Sequence, residues 1–142
     1  MHALSIRVYG EPAPQGSKTA IVRNGKAVMY EASKKLPKWR DTVLMTCRVA
    51  ALEAKTETPI LGALGMAVTF YLERPHSTLR KYPNNAPDVD KLLRAVFDGL
   101  QESGVISNDG QIVIVTAFKQ WADELNPPGA HITINKKDLP FK

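Results

Sequence analysis

Near its start, the chain alternates apolar and polar residues with the two-residue period of a half-buried strand. Leu4, Ile6 and Val8 are the apolar positions of this stretch. After a polar, proline-containing loop at residues 12–18, two apolar runs flank Asn24-Gly25, a strong short-range signal for a hairpin. The pattern therefore predicts one strand followed by a β-hairpin.

The next segment has the three-to-four-residue period of an amphipathic helix. It begins near Ser33 or Leu36, with Pro37 suited to its first turn. Its apolar stripe consists of Trp39, Val43, Cys47, Ala50 and Ala54. Cys47 lies within this stripe, which predicts a small core residue rather than a nucleophile.

In the second half of the chain, a strand-like segment is again followed by a segment with helical periodicity. Residues 66–72 are rich in strand-forming side chains, and Arg74–Ala86 follows as a long basic loop of the kind that is often functional. Asp88–Glu102 is predicted to be a helix that Gly104 stops, with an apolar face of Leu93, Val96, Phe97 and Leu100. An Asn-Asp-Gly turn at 108–110 precedes two closing strands, Gln111–Trp121 and Ala130–Ile134.

Taken in order, these elements are strand, hairpin, helix, strand, helix, strand, strand. The order predicts an α+β fold, with two helices on one face of a mixed β-sheet. The 142 residues, 44% of them apolar and 23% charged, suit one small domain over residues 1–142. A chain of this size needs neither a metal nor a disulfide in order to fold.

Composition excludes several protein classes. The longest apolar stretch, residues 60–68, is far shorter than the roughly 20 residues of a membrane span. No charged segment followed by an apolar block marks a signal peptide at the start, and a single cysteine forms neither an internal disulfide nor a thiolate cluster. We therefore expect the protein to function in a reducing cytoplasm.

Charge is distributed unevenly along the chain. Residues 1–87 carry 13 basic and 6 acidic side chains, whereas residues 88–142 carry 6 basic and 8 acidic ones, for a net charge of +5. A basic surface attracts polyanions such as nucleic acid. Acidic groups on such a surface repel phosphate unless a cation lies between the carboxylate and the phosphate. The acidic segment after residue 87 is therefore the first indication of function.

Three aspartates in that segment are candidates for chemistry. Asp88 and Asp90 lie two residues apart, so they share one side only where the backbone is extended, at the start of the helix. With Asp109 they would form a set of carboxylates that repel each other until a divalent cation is bound. Arg94, one turn further along, offers a fixed positive charge to a phosphodiester under attack.

Each of these residues also has a purely structural interpretation. Asp88 suits a helix N-cap, and Asp90 in the first turn favours the helix dipole. Asp109 is an ordinary turn residue in Asn-Asp-Gly. Asp98 lies four residues after Arg94, which predicts an ion pair within the helix.

The segment Pro-Asp-Val-Asp-Lys-Leu-Leu-Arg-Ala-Val-Phe-Asp-Gly-Leu, followed by Gly-Val-Ile-Ser-Asn-Asp-Gly-Gln-Ile, resembles the signature of the RusA family of Holliday junction resolvases. The family pattern runs Asp-x-Asp-Asn-Leu-x-Lys-Ala-x-x-Asp-Ala-Leu and then Asp-Asp-x-Gln-Val. The close match covers about 30 residues, from Asp88 to Val113. The strand order around it also fits the small α+β dimer of that family, many of whose members are encoded by phages and prophages.

The resemblance implies an endonuclease that depends on Mg²⁺, with Mn²⁺ as a substitute, and resolves four-way DNA junctions by paired nicks. Asp88, Asp90 and Asp109 match the family's metal-binding positions. Arg94 replaces a catalytic lysine, a change that keeps the charge but not the compact ammonium. Lys91 stands where asparagine is usual, and Asn108 replaces the first aspartate of the second pair.

A homodimer is expected, because two-fold symmetry places two identical sites on the two-fold related strands of a junction. Candidate phosphate contacts are Lys18, Arg74, Arg80, Lys81 and Lys91. Two other functions remain open: a non-catalytic module that binds branched DNA, and a nuclease that acts on flaps or forks.

Overall fold

The computed structural model describes residues 2–16, 18–31 and 34–137, with the backbone alone at residues 2–3, 18–23 and 26–31. In chain order the elements are β1 (His2–Tyr9), β2 (Lys18–Arg23), β3 (Lys26–Glu31), α1 (Leu36–Glu53), β4 (Leu64–Leu72), α2 (Val89–Ser103), the 3-10 turn η1 (Asp109–Gln111), β5 (Ile112–Trp121) and β6 (Gly129–Lys136). The predicted order of elements is confirmed over this part of the chain. Ser33, one of the two predicted helix starts, lies outside the described residues, and α1 begins at Leu36.

The main sheet has four strands in the order β1-β6-β4-β5. β6 pairs antiparallel with both β1 and β4, whereas β4 and β5 are parallel and α2 makes the crossover between them. The sheet is therefore mixed, as predicted. The β2–β3 hairpin turns at Asn24-Gly25 and forms a separate two-stranded sheet.

The core lies between one face of this sheet and the two helices. Ile6 pairs with Ile132, which in turn pairs with Val68, so one row of buried aliphatic side chains crosses three strands. Strand alternation places these residues on a single face. The α+β arrangement with two helices is confirmed.

The buried positions of α1 are Leu36, Trp39, Val43, Cys47 and Ala51. Of the predicted stripe, Ala50 is only partly buried and Ala54 is exposed, because the helix ends at Glu53 and the chain turns there. Cys47 is fully buried, and burial raises the pKa of its thiol from 9.0 to about 12. The prediction of a core cysteine is confirmed.

The helix α2 begins one residue after Asp88 and ends at Ser103. The next residue, Gly104, caps it with a φ of 82° that glycine readily adopts. Leu92 and Ala95 are buried together with Val96 and Leu100, whereas Leu93 and Phe97 are only partly buried. The apolar face is thus rotated slightly from the predicted one. Among the described residues, no helix has the length and apolar character needed to cross a membrane.

Candidate functional site

The start of α2 presents the first two candidate carboxylates on the protein surface. Asp88 is the N-cap residue, with an extended backbone (φ −71°, ψ 143°), and Asp90 lies in the first turn. Both side chains are exposed. The carboxylate of Asp88 makes no capping hydrogen bond and instead lies 3.5 Å from Nζ of Lys91. The predicted extended start of the helix is confirmed, whereas the predicted side-chain cap is not formed.

The chain just before Asp88 is held by a cation from the neighbouring strand. Nζ of Lys119, near the end of β5, donates to the carbonyl oxygens of Asn85 and Pro87, both at 2.8 Å. These two bonds connect the last residues of the long loop to the sheet. Lys119 was not among the residues predicted from the sequence, although a lysine within a mostly apolar strand is a recognisable signal.

A second segment, which was not predicted to belong to the site, also contacts α2. The backbone N–H of Gln15 donates to the carbonyl oxygen of Lys91 at 2.9 Å. Its side-chain amide donates to Oδ2 of Asp98 and accepts from Nη1 of Arg40, the latter at 3.1 Å. Gln15 therefore links the loop at residues 11–16 to both helices, and the only earlier sign was a polar stretch between prolines.

Asp98 is thus bonded to Gln15, and the predicted Arg94–Asp98 ion pair is wrong. The ion pairs among the described side chains are Lys35–Glu11 and Lys91–Asp88. Arg94 is exposed and lies against Gly16 instead. A Cβ atom at Gly16 would approach Cδ of Arg94 to 3.2 Å and Cζ to 3.3 Å, so the absence of a side chain at Gly16 leaves room for the guanidinium.

Asp109 lies at the opposite end of α2. Its backbone N–H donates to Oε1 of Gln101 at 3.0 Å, and Gln101 is thirteen residues after Asp88. At 1.5 Å per residue, that separation is about 20 Å along the helix. The strand gives a second measure: Lys119 is seven residues after Ile112, or roughly 23 Å. Within one chain the structure therefore places Asp88, Asp90 and Arg94 in the first two turns of α2, and Asp109 beyond the other end of that helix.

The turn that carries Asp109 is well defined. The side chain of Asn108 accepts from the N–H of Gly110 at 2.7 Å, and Oε1 of Gln111 accepts from the N–H of Asn108 at 3.1 Å. The Asn108 side chain also accepts from the backbone N–H of Gln111, which with the Gln111 side-chain bond forms a capping box. Nε2 of Gln111 also donates to the carbonyl oxygens of Ile60 and Gly62, both at 2.9 Å. Asn108 therefore has a structural function here, and the exposed Asp109 is held at a defined place at the start of β5.

Of the proposed DNA contacts, Arg74, Arg80 and Lys81 lie in the loop between β4 and α2 and Lys91 lies in the first turn of α2, whereas the side chain of Lys18 lies outside the described residues. Nη2 of Arg74 donates to the carbonyl oxygen of Arg80 at 3.2 Å, and Nε1 of Trp121 donates to the same oxygen at 3.0 Å. Lys81 lies 5.7 Å from the ring centre of Tyr82. The loop that carries these exposed cations is therefore anchored to the end of β5, beside the start of α2.

The carboxylates at the start of α2 suit a hard cation in type and in number. Mg²⁺ usually takes one or two protein carboxylates and completes its shell with water and substrate phosphates. Asp88 and Asp90 are open to both kinds of ligand. Among the side chains that the structure describes, however, no three His, Cys, Asp or Glu residues of one chain are grouped closely enough to hold a metal ion. The three-carboxylate ligand set stays a prediction.

Comparison with known proteins identifies relatives over most of the chain. A family model described as "Endodeoxyribonuclease RusA" matches residues 10–135. The chain is also 28% identical over 136 residues to "Uncharacterized protein YqaN" of Bacillus subtilis, an alignment that covers 87% of this chain and 92% of that protein. The matched region includes both helices, the long loop and both aspartate-bearing segments.

Proposed function

Because the chain belongs to the RusA endodeoxyribonuclease family, an enzyme family that acts on branched DNA junctions, we propose that it resolves four-way junctions by paired, Mg²⁺-dependent nicks. The observation that supports this proposal is that Asp88 and Asp90 are both exposed at the start of α2, directly after a loop that carries exposed cations and within two helical turns of the exposed Arg94. A cation held by carboxylates, with a fixed positive charge beside it, can stabilise the negative charge that develops on a phosphodiester under attack.

Asp88 and Asp90 would hold the ion, and a bound divalent cation supplies Lewis acidity toward a phosphate and cancels the repulsion between the carboxylates. Lys91, whose Nζ lies 3.5 Å from the Asp88 carboxylate, would help to hold that side chain in place. Mn²⁺ would substitute for Mg²⁺ on the same ligands, because both metals accept carboxylate and water oxygens.

Arg94 would stabilise the extra negative charge that develops on the phosphate during attack. A positive group placed before the reaction begins needs little reorganisation in the transition state, which is the main advantage of this kind of catalysis. Gly16 leaves space for the guanidinium beside the loop at residues 11–16. Arg74, Arg80 and Lys81, together with Lys18 and Lys91, would neutralise DNA phosphates and position the duplex arms.

The test compares a labelled synthetic four-way junction with a linear duplex of equal length, each with Mg²⁺ and with EDTA. The proposal expects symmetric nicks in the junction and not in the duplex, and only when Mg²⁺ rather than EDTA is present. Junction binding without cuts in either Mg²⁺ or Mn²⁺ would contradict it and favour a non-catalytic binding module. Equal cutting of flaps or replication forks would assign the activity to branched DNA in general.

A further inference from the structure

A pocket of about 530 Å³ lies where β1 ends and α1 begins. Its described lining comes from residues 9–11 at the end of β1, from Lys34 and Lys35 just before α1, and from the first two turns of α1. This volume is within the range of ligand pockets in proteins. None of these lining residues has been assigned to the nuclease site.

The pocket is strongly positive in charge. Lys34, Lys35 and Lys38 all line it, and all three are exposed. Glu11 is the acidic residue of the described lining, and its Oε1 lies 2.6 Å from Nζ of Lys35. Among the described side chains, this ion pair leaves Lys34 and Lys38 without a carboxylate partner. Two such ammonium groups beside one concave surface attract an anion such as a phosphate.

An exposed aromatic ring lies beside these lysines. Tyr9 lines the pocket and is 61% exposed. The guanidinium of Arg7 covers part of the ring, with Cζ 4.4 Å from the ring centre, and Nη1 of Arg7 donates to the carbonyl oxygen of Val8 at 2.6 Å. These contacts hold the ring in place before any ligand binds. A fixed aromatic ring among cations is suited to stacking with a nucleobase.

The pocket lies at the same end of the main sheet as the candidate carboxylates. Tyr9, the last residue of β1, pairs with Gly129 of β6, and Gly129 pairs with Tyr71 of β4. Tyr71 pairs with Gln120 of β5, the residue after Lys119, whose side chain anchors the start of α2. Three strand spacings are roughly 14 Å. One DNA strand can therefore reach both places within a few nucleotides.

We propose that this pocket, defined by Tyr9, Lys34 and Lys38 and called the lysine pocket, binds an unpaired nucleotide of a DNA strand. The two lysines bind the phosphates of that strand, and the ring of Tyr9 stacks on the base. Duplex phosphates need only cations on an open surface, whereas a concave basic site with an exposed aromatic ring is typical of single-strand binding. Bases that are already unpaired or weakly stacked enter such a pocket most readily.

The use of the lysine pocket in recognising branched DNA rests on the nuclease function proposed above, whereas its binding of a nucleotide is measured without cutting. The first experiment compares a labelled single strand with a duplex of the same sequence, in EDTA. The Lys34→Gln/Lys38→Gln double variant should lose single-strand affinity on the order of tenfold at moderate salt. Its plot of log K against log salt should be shallower by roughly 1.4, because each neutralised phosphate of a single strand contributes about 0.7.

The Lys55→Gln/Lys136→Gln double variant is the control, because it removes the same charge at exposed positions away from the pocket. Lys55 follows the far end of α1, and Lys136 ends β6 at the opposite end of the sheet from Tyr9. Its single-strand affinity should stay within about twofold of the wild type, since salt screens distant charges. Equal losses in the two double variants would show a general effect of charge and overturn the proposal.

The stacking contact is tested with Tyr9→Leu and Tyr9→Phe. Phenylalanine keeps the aromatic ring and should bind the single strand as the wild type does. Leucine removes the ring, and single-strand affinity should fall about fivefold or more. Duplex binding and thermal unfolding, measured beside it, show that the leucine variant is folded. Equal single-strand affinity of the two folded variants would contradict the proposal.

Cross-linking tests the contact in the unaltered protein. Thymines of the single strand are replaced by 5-iododeoxyuridine, which cross-links to a contacting aromatic side chain when irradiated. The proposal expects a cross-linked peptide at Tyr9 that is lost in the Lys34→Gln/Lys38→Gln variant. Competition by deoxythymidine monophosphate would support recognition of free nucleotides as well, and a cross-link that persists would assign the pocket to nucleotides within a strand. Cross-links elsewhere and none at Tyr9 would overturn the proposal.

These measurements distinguish the two proposals, because none of them involves cutting. If the single strand binds through the lysine pocket while the protein cuts no junction, the nuclease proposal is wrong and the pocket stands. If the wild type cuts junctions while the two double variants bind single strands equally well, the nuclease proposal stands and the pocket is wrong.

Discussion

The ammonium group of Lys119 donates to the carbonyl oxygen of Pro87 at 2.8 Å, which connects strand β5 to the residue before Asp88. The chain from Glu73 to Asp88 contains no helix or strand. Without an anchor of this kind, its last residues would have few interactions to determine their position. The position of the first carboxylate therefore depends on a side chain that lies more than thirty residues later in the sequence.

We expect Lys119→Met to lower both the stability of the protein and its cutting rate. The methionine keeps most of the aliphatic stem but loses both charged hydrogen bonds, at a cost of about 1–2 kcal/mol in the free energy of unfolding. Misplacement of Asp88 should reduce cutting roughly tenfold or more. Lys136→Met, an exposed change on β6, is the control. Denaturant unfolding and junction cutting measure the two effects, and equal results for both variants would contradict the positioning role.

Asp90→Asn should abolish cutting and preserve junction binding. The amide removes a negative charge that a metal needs and that a DNA phosphate repels, so affinity measured without metal should stay equal or increase. Asp41→Asn, an exposed change on α1, serves as the control for net charge. Cutting by Asp90→Asn at the wild-type rate would show that the metal-site assignment is wrong.

Gly16→Ala should impair cutting by displacing Arg94. The Cβ atom would collide with the guanidinium, and the φ of +107° at this position adds a strain of about 1–3 kcal/mol. Gly25→Ala is a matched control, because its φ is also positive, at +76°, and its Cβ meets no atom within 4 Å. Both variants should lose stability, and Gly16→Ala alone should lose cutting rate, measured in single-turnover assays.

Gly99→Ala should destabilise the protein, although alanine is normally preferred to glycine inside a helix. A Cβ at residue 99 would lie 2.7 Å from Cγ1 of Val43 and 3.2 Å from the carbonyl oxygen of Arg40. The two helices would have to separate, at a cost of about 1–3 kcal/mol. Glu102→Ala, an exposed change on the same helix, should have little effect in the same thermal unfolding experiment.

Cys47 makes stability depend on pH in the alkaline range. Burial raises the pKa of its thiol from 9.0 to about 12. Above pH 9 the unfolded chain loses this proton while the folded chain keeps it, so the contribution is complete below pH 9 and decreases as the pH rises toward 12. The free energy of unfolding should fall by about 1.4 kcal/mol per pH unit in that range. Cys47→Ala should lack this component in denaturant titrations at pH 8 and pH 10.

Much of the fold was predictable because its signals are local. The alternation at Leu4, Ile6 and Val8 indicated β1, and Asn24-Gly25 indicated the hairpin. The glycine after α2 marked the end of that helix. The order of these elements was sufficient for the α+β class, since a strand-helix-strand segment between β4 and β5 favours a parallel crossover.

The candidate site was only partly predictable, because its geometry depends on contacts between distant residues. Gln15 contacts Asp98 across more than eighty residues, and it thereby excludes the Arg94–Asp98 pair that helical spacing favoured. Neither residue type nor spacing indicates such a contact. A lysine in β5 is visible in the sequence, but nothing local indicates that Lys119 bonds to the residues before Asp88.

The sequence by itself determined the chemistry that is present: the paired Asp88 and Asp90, the cation at Arg94, the third aspartate at Asp109, and the family to which this order of residues belongs. Only the tertiary structure decided how far apart these groups lie. A rigid helix of fifteen residues separates Asp88 from Asp109, because its rise per residue is constant and both of its ends are held by hydrogen bonds. Asp88 and Asp109 therefore belong to one sequence motif but do not lie close together in space within one chain.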